Sequence, residues 1–279
     1  MDPLDPADTL IEADDDIDSA LGDDLSSDTT SLLPTETETL SSLVTRFHFE
    51  NGRRYHAFKA GQYAFPNDDE ELDRMDLENE IFLMLLGGKH HHAPLQAPQQ
   101  ILDLGTGSGI WAIGMADLYP SASVIGIDLS PVQPVDVPFN LRFEVDDLEQ
   151  DWTFQKDYFD LIHWRLLLAS VSDYPKLFRQ AFEHTKPGGY LEIHDVDPTQ
   201  CCDDGSLAQD SSSVRWSQLF HEACEKAGRP IPPIESYKLM MERAGFVDIK
   251  EQILKRPANT WPKDKMLKRI GMVSSLTRL

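Results

Sequence analysis

Residues 99–130 read QQILDLGTGSGIWAIGMADLYPSASVIGIDLS. The apolar run ILDL enters a loop with glycines at 105, 107 and 109. A helical segment reaches Tyr119, and a second apolar run, SVIGID, closes on Asp128. Short apolar runs bounded by turn residues read as buried strands. A strand, a glycine loop, a helix and a second strand form the βαβ unit of an open parallel sheet, whose crossover is right-handed. Ligands of such sheets sit beyond the carboxyl ends of the strands, where the first connections diverge. Gly105, Gly107 and Gly109 fall there. Glycine suits the position because side chains would block a ligand and because tight turns often require positive φ.

Two ligand classes use this layout. The dinucleotide fingerprint is G-x-G-x-x-G, with the diphosphate on the helix N-terminus. Here the spacing is G-x-G-x-G, and Ile110 stands where the third dinucleotide glycine belongs. Asp103 also precedes the loop in an otherwise apolar strand. A carboxylate there suits the ammonium and sulfonium of S-adenosylmethionine and would serve a diphosphate poorly. Asp128 can accept both hydroxyls of a ribose, which the two ligands share. After the third strand, Asp146, Asp147 and Leu148 are placed to meet an adenine, through an acid for its amine and a backbone N–H for a ring nitrogen.

Outward from this unit, apolar runs and helical stretches keep alternating. LRFEV and YFDLIHW read as strands three and four, and DYPKLFRQAFEHTK as a helix closed by Pro187-Gly188-Gly189. YLEIHD reads as strand five, and GFVDIKEQIL alternates like a sixth. The pattern predicts an α/β fold, a Rossmann-like, doubly wound and mostly parallel sheet spanning 99–279. A mainly helical insertion occupies about 196–245. Residues 46–98 open with the turn signals Asn51-Gly52 and Pro66-Asn67. Asp68 and Asp69 can cap a helix over Leu72, Met75, Ile81, Phe82 and Leu85, which Gly87-Gly88 ends. Consecutive histidines at 90, 91 and 92 lie on a loop and point in different directions, so no metal site is read there.

Composition narrows the function. The net charge is −23, and residues 1–45 hold 13 acids with no Lys or Arg. That acidic leader cannot bury enough apolar surface to offset its ordering entropy, so disorder is expected. An acidic protein repels phosphate backbones, which argues against nucleic-acid binding. No window approaches the roughly 18 apolar residues of a membrane span. Adjacent cysteines at 201 and 202, with Cys224 alone, fit a reducing cytoplasmic or nuclear compartment.

The motifs ILDLGTGSGIWA, VIGIDLS, VDDLEQDW, FDLIHWR and KPGGYLEIHD resemble those of class I S-adenosylmethionine-dependent methyltransferases. NGRRYHAFKAGQYAFPNDDEELDRMDL, GIDLSPVQP and QDWTF are more narrowly similar to the LaeA-like fungal group, which includes regulators of secondary metabolism and development. The likeness spans roughly residues 45–262. It implies S-adenosylmethionine as cofactor, with Asp103, Gly105, Thr106, Gly107 and Gly109 around its methionine part. Asp128, with Leu129 beside it, would hold the ribose, Asp146, Asp147 and Leu148 the adenine, and His163 would lie beside the methyl donor. It also implies that the 46–98 segment, with Tyr55, Tyr63, Asn67 and Asp68, folds over the cofactor as a lid. Class I relatives carry a seven-stranded sheet; this chain offers six candidates, so the seventh strand is expected to be missing or truncated.

For O or N acceptors, methyl transfer also requires removal of a proton. The candidate bases are His163 and His194, at the ends of strands four and five, and Asp195 next to His194. The acceptor is left open between a small molecule and a protein. The alternative is a catalytically inactive methyltransferase-fold regulator acting through protein partners.

Overall fold

The structure, a computed structural model, describes residues 47–277. The acidic leader at 1–45 lies outside the described residues. Two compact units form, one from residues 92–128 and 135–252, the other from 47–91, 129–134 and 253–277.

The first unit is a five-stranded parallel sheet with β3 (Gln100–Leu104) at its centre. Its other strands are β4 (Ser123–Asp128), β5 (Leu141–Val145), β6 (Phe159–Arg165) and β7 (Thr185–His194), in the order β5-β4-β3-β6-β7. Helix α2 (Ile110–Leu118) covers one face and helix α3 (Tyr174–His184) the other. Side chains alternate between faces. Ile101, Val124 and Leu161 therefore pack with Trp111, Ala112 and Met115 of α2, while Leu102, Leu104, Ile125, Ile162 and Trp164 pack with Leu177, Phe178 and Ala181 of α3. Both sides are dry, which is why these strands read as continuous apolar runs. This is the expected α/β, Rossmann-like sheet. Helices α4 (Ser212–Lys226) and α5 (Glu235–Ala244) follow β7, and Tyr237 of α5 joins the α3-side core.

Two details differ from the sequence reading. Helix α3 ends at His184, and β7 begins at Thr185, ahead of Pro187-Gly188-Gly189 rather than after it. Those residues sit at an irregularity in the β6–β7 pairing, between Phe159 and Leu161. The sixth strand does not form. Asp248 takes a left-handed φ of 54°, which interrupts an extended chain, and Val247 and Ile253 are exposed. Phe246 packs edge-on against Phe182 at 5.2 Å.

In the second unit, β1 (His48–Glu50) and β2 (Arg53–Tyr55) make an antiparallel hairpin. Its turn is Asn51-Gly52, both at positive φ (50° and 76°), as a tight hairpin requires. Asp68 caps α1 (Asp69–Leu85) by accepting from the Glu71 N–H at 3.1 Å. It also accepts from Arg53 Nε at 2.6 Å and Nη2 at 2.9 Å, joining hairpin to helix. Helix α1 packs on α6 (Lys265–Leu276). Between them the buried Glu78 receives Arg256 through two hydrogen bonds of 2.8 and 3.0 Å.

Candidate active site

The loop after β3 is built by backbone geometry. Gly105, Gly107 and Gly109 have φ of 64°, 58° and 82°, a region L side chains avoid. Thr106 N–H donates to the Ile127 carbonyl at 2.9 Å, Gly107 N–H to Asp128 Oδ2 at 2.9 Å, and Gly109 N–H to the Thr106 carbonyl at 2.9 Å. The loop therefore folds back over the end of β4 and hands the chain to α2, with Gly109 as the N-cap. Asp128 is half-buried at that strand end.

Packing beneath the loop explains two glycines. A β-carbon at 109 would fall 2.4 Å from Phe143 Cζ, and one at Gly126 would lie 2.8 Å from both Phe143 and Thr106 Oγ1. Gly126 was not singled out from the sequence; a glycine in the middle of the apolar run SVIGID is the signal that could have found it.

Asp103 does not project toward solvent. It is 3% exposed and shares a register line with Gly126, His163 and Glu192 across four strands. Its Oδ2 accepts from Thr106 Oγ1 at 2.6 Å, and its Oδ1 lies 2.7 Å from His163 Nδ1. Burial pushes its carboxyl up to about 7, against the opposing bond from Thr106. The acid read as a lure for the donor's cations thus anchors the loop from below.

His163 is fully buried, stacked on Trp111 with ring centroids 3.6 Å apart and planes 9° from parallel. Its Nε2 lies 3.3 Å from His194 Nδ1. His194 is buried too, and its Nε2 lies 2.8 Å from Glu192 Oε1. Burial lowers the His194 pKa, which Glu192 only partly offsets. Both histidines proposed as bases are therefore interior residues.

Asp195 follows directly and is half-buried. It accepts from the Val196 N–H at 3.0 Å and from Tyr237 Oη at 3.1 Å. Burial raises its carboxyl to about 7.

At the end of β5, Asp146 accepts from the Asp147 N–H at 2.8 Å, and Asp147 from the Glu149 N–H at 3.0 Å. This Asx-type turn leaves Asp147 buried and presents the 146–148 backbone at the strand end. Leu148 packs on the core, and its carbonyl accepts from Trp152 Nε1 at 2.9 Å. Glu149 and Arg229, 2.7 Å apart, tie this turn to the segment after α4. Leu129 begins the 129–134 segment of the other unit, where Asn67 Nδ2 donates to Ser130 Oγ at 3.1 Å. Tyr63 packs against His56 and Phe65, and Tyr55 ends β2. Among the described residues no group of three His, Cys, Asp or Glu side chains is arranged to hold a metal ion.

A left-handed glycine loop, an acid at the end of the adjacent strand and a turn of acids at the next thus gather hydrogen-bond acceptors at the carboxyl edge of a parallel sheet. Residues 75–251 match the family described as a methyltransferase domain. Over 234 residues the chain is 43% identical to the methyltransferase pytC of Aspergillus terreus, spanning 83% of this chain and 72% of that one. It is 42% identical over 230 residues to the secondary metabolism regulator LAE1 of Cochliobolus heterostrophus, 80% of this chain and 75% of that one. It is 37% identical over 230 residues to the protein-methionine methyltransferase laeA of Emericella nidulans, 81% of this chain and 61% of that one. The chain belongs to the methyltransferase-domain family, in its LaeA-like group. It is an S-adenosylmethionine-dependent methyltransferase related to fungal regulators of secondary metabolism.

Proposed function

We propose that the donor is held by the 103–109 loop, with Asp128 and Leu129 at its ribose and Asp146, Asp147 and Leu148 at its adenine, and that Asp195 is the base on the acceptor side. The carrying observation is Asp195 itself. Of the three base candidates it alone is not fully interior, and its raised carboxyl suits proton removal near neutral pH. When bound, S-adenosylmethionine supplies an electrophilic methyl group. The chain's task is to hold the acceptor in line and, for an O or N nucleophile, to take its proton at Asp195 Oδ2, where Tyr237 steadies the carboxylate. Helices α4 and α5 then shape the acceptor's approach.

A second reading is favoured by the burial of His163 and His194. A thioether carries no proton to remove, so an acceptor such as a protein methionine, named for the Emericella relative, needs no base. We place the protein in the cytoplasm or nucleus. Cys201, Cys202 and Cys224 form no disulfide, and no described helix is long and apolar enough to cross a membrane.

Incubating the chain with isotope-labelled donor and a fungal extract, followed by mass spectrometry of small molecules and peptides, identifies the acceptor. Asp195→Asn should abolish transfer to an oxygen or nitrogen acceptor and spare transfer to a thioether. Full activity of that variant on an O or N acceptor would remove Asp195 from its role.

A further inference from the structure

Four titratable side chains form one hydrogen-bonded path from the donor loop to the edge strand. Thr106 donates to Asp103 Oδ2, Asp103 Oδ1 meets His163 Nδ1 at 2.7 Å, and His163 Nε2 meets His194 Nδ1 at 3.3 Å. His194 Nε2 meets Glu192 Oε1 at 2.8 Å, and Glu192 accepts from the His92 and Ala93 N–H groups, each at 2.7 Å.

The partners dictate where the ring protons sit. Burial would raise the Glu192 carboxyl, but the bonds from His194 and the two backbone N–H groups outweigh it and bring it to about 2. Glu192 is therefore an acceptor only, and His194 carries hydrogen on Nε2. Arg165 Nη2 lies 3.5 Å from His194 Nδ1, and a guanidinium offers only hydrogens. Together with burial, its charge keeps His194 neutral, so Nδ1 is an acceptor. His163 must then donate from Nε2. Its remaining contact, Nδ1 to Asp103 Oδ1, needs a proton from one side or the other. Two neutral imidazoles bring two protons, whereas the three contacts use three.

We propose that Glu192 and His194 are positioning residues for the donor loop: by fixing the tautomers along this path they hold one extra proton between His163 and Asp103. This rests on the assignment of residues 103–109 to the donor. The Asp103–His163 pair then carries no net charge, and the loop is set by a short, proton-filled contact rather than by a bare buried carboxylate. Arg165 on β6 and His92 on the segment before β3 are charged or titratable groups that face the path. From α2 it is Trp111 that covers His163, and its flat face accommodates either protonation state.

Histidine-selective ¹⁵N NMR of the full chain at neutral pH tests the assignment without a variant. The expected pattern is a protonated Nε2 with a bare Nδ1 at His194, and a protonated Nε2 at His163 with its Nδ1 proton shared with Asp103. A bare Nε2 at His163, or a protonated Nδ1 at His194, overturns the proposal. Calorimetric titration with S-adenosylhomocysteine supplies the second readout. Glu192→Gln should weaken binding by about fivefold or more, part of a charge-assisted hydrogen bond, and shift the His163 ring resonances with it. Native affinity in a folded Glu192→Gln chain also overturns the proposal. A native chain with the expected histidine pattern that binds neither S-adenosylmethionine nor S-adenosylhomocysteine would instead refute the donor assignment.

Discussion

Phe143 fills the space a side chain at position 109 would need, its Cζ lying 2.4 Å from where a β-carbon would stand. Gly109→Ala is therefore a packing lesion. The left-handed φ of 82° adds strain, and overpacking with strain together should cost about 2–4 kcal/mol of stability. Phe143→Leu in the same chain should recover part of that loss, because the ring is the obstruction. Denaturant unfolding of the four chains in the cycle decides it; additive losses would show that the ring is not what excludes the alanine.

Asp128 is expected to act on the ligand and on the loop at once, since it accepts the Gly107 N–H. Asp128→Ala should weaken S-adenosylhomocysteine binding by about 1.5–3 kcal/mol, the scale of hydrogen bonds to a charged acceptor. Asp128→Asn keeps an oxygen for Gly107 and should lose less. Isothermal titration reads both; equal losses would place the whole effect in the carboxylate charge.

The sheet was legible because strands buried on both faces have little choice but apolar runs, and the glycine loop because left-handed turns favour glycine. Residues 246–253 show where periodicity fails: an alternating pattern predicts a strand only if a neighbour's edge is there to receive it, and a single left-handed residue, Asp248, redirects the chain. The hairpin at 48–55 escaped for the opposite reason. Its two short strands, HFE and RRY, carry no apolar alternation, and only Asn51-Gly52 marked the turn. In the site, residue types were readable and their directions were not. Asp103 and His163 stand at the expected strand ends, but their inward orientation follows from pairing in register across β3 and β6, which no single-strand pattern contains.

Stability should respond to pH with two signs. Asp195 is raised to about 7 from an ordinary carboxyl near 3.8. A raised pKa contributes stability fully present below the ordinary value and lost as pH rises through about 7. Asp195→Asn should therefore compare better with the native chain at pH 8 than at pH 5. Asp68 is lowered to about 2, chiefly by the hydrogen bond from Arg53. Its contribution is present above the ordinary value and lost as pH falls toward 2, so Asp68→Asn should flatten the acid limb. Thermal melts across pH 2–8 check both, and an unchanged acid limb in Asp68→Asn would detach that limb from the Arg53 pair.

Arg256 should be the costliest single side chain to remove from the unit containing α1 and α6. Glu78 is 5% exposed and takes both guanidinium contacts, at 2.8 and 3.0 Å, while Arg74 reaches it at 3.4 Å. The same guanidinium donates to Ser274 Oγ at 3.0 Å and Thr277 Oγ1 at 2.8 Å, both on buried residues at the end of α6. Arg256→Ala strands a buried carboxylate and two hydroxyls, and should cost about 3–5 kcal/mol, towards the lower end because Arg74 remains. Arg256→Lys keeps the charge but cannot reproduce the paired contacts and should still lose a substantial part. Arg256→Met with Glu78→Gln removes both charges and should be milder than Arg256→Ala alone, since no ion is left uncompensated. Urea unfolding of the three variants orders them; if the double variant proved the least stable, mutual attraction of the pair, and not the burial of a lone carboxylate, would be the dominant energy.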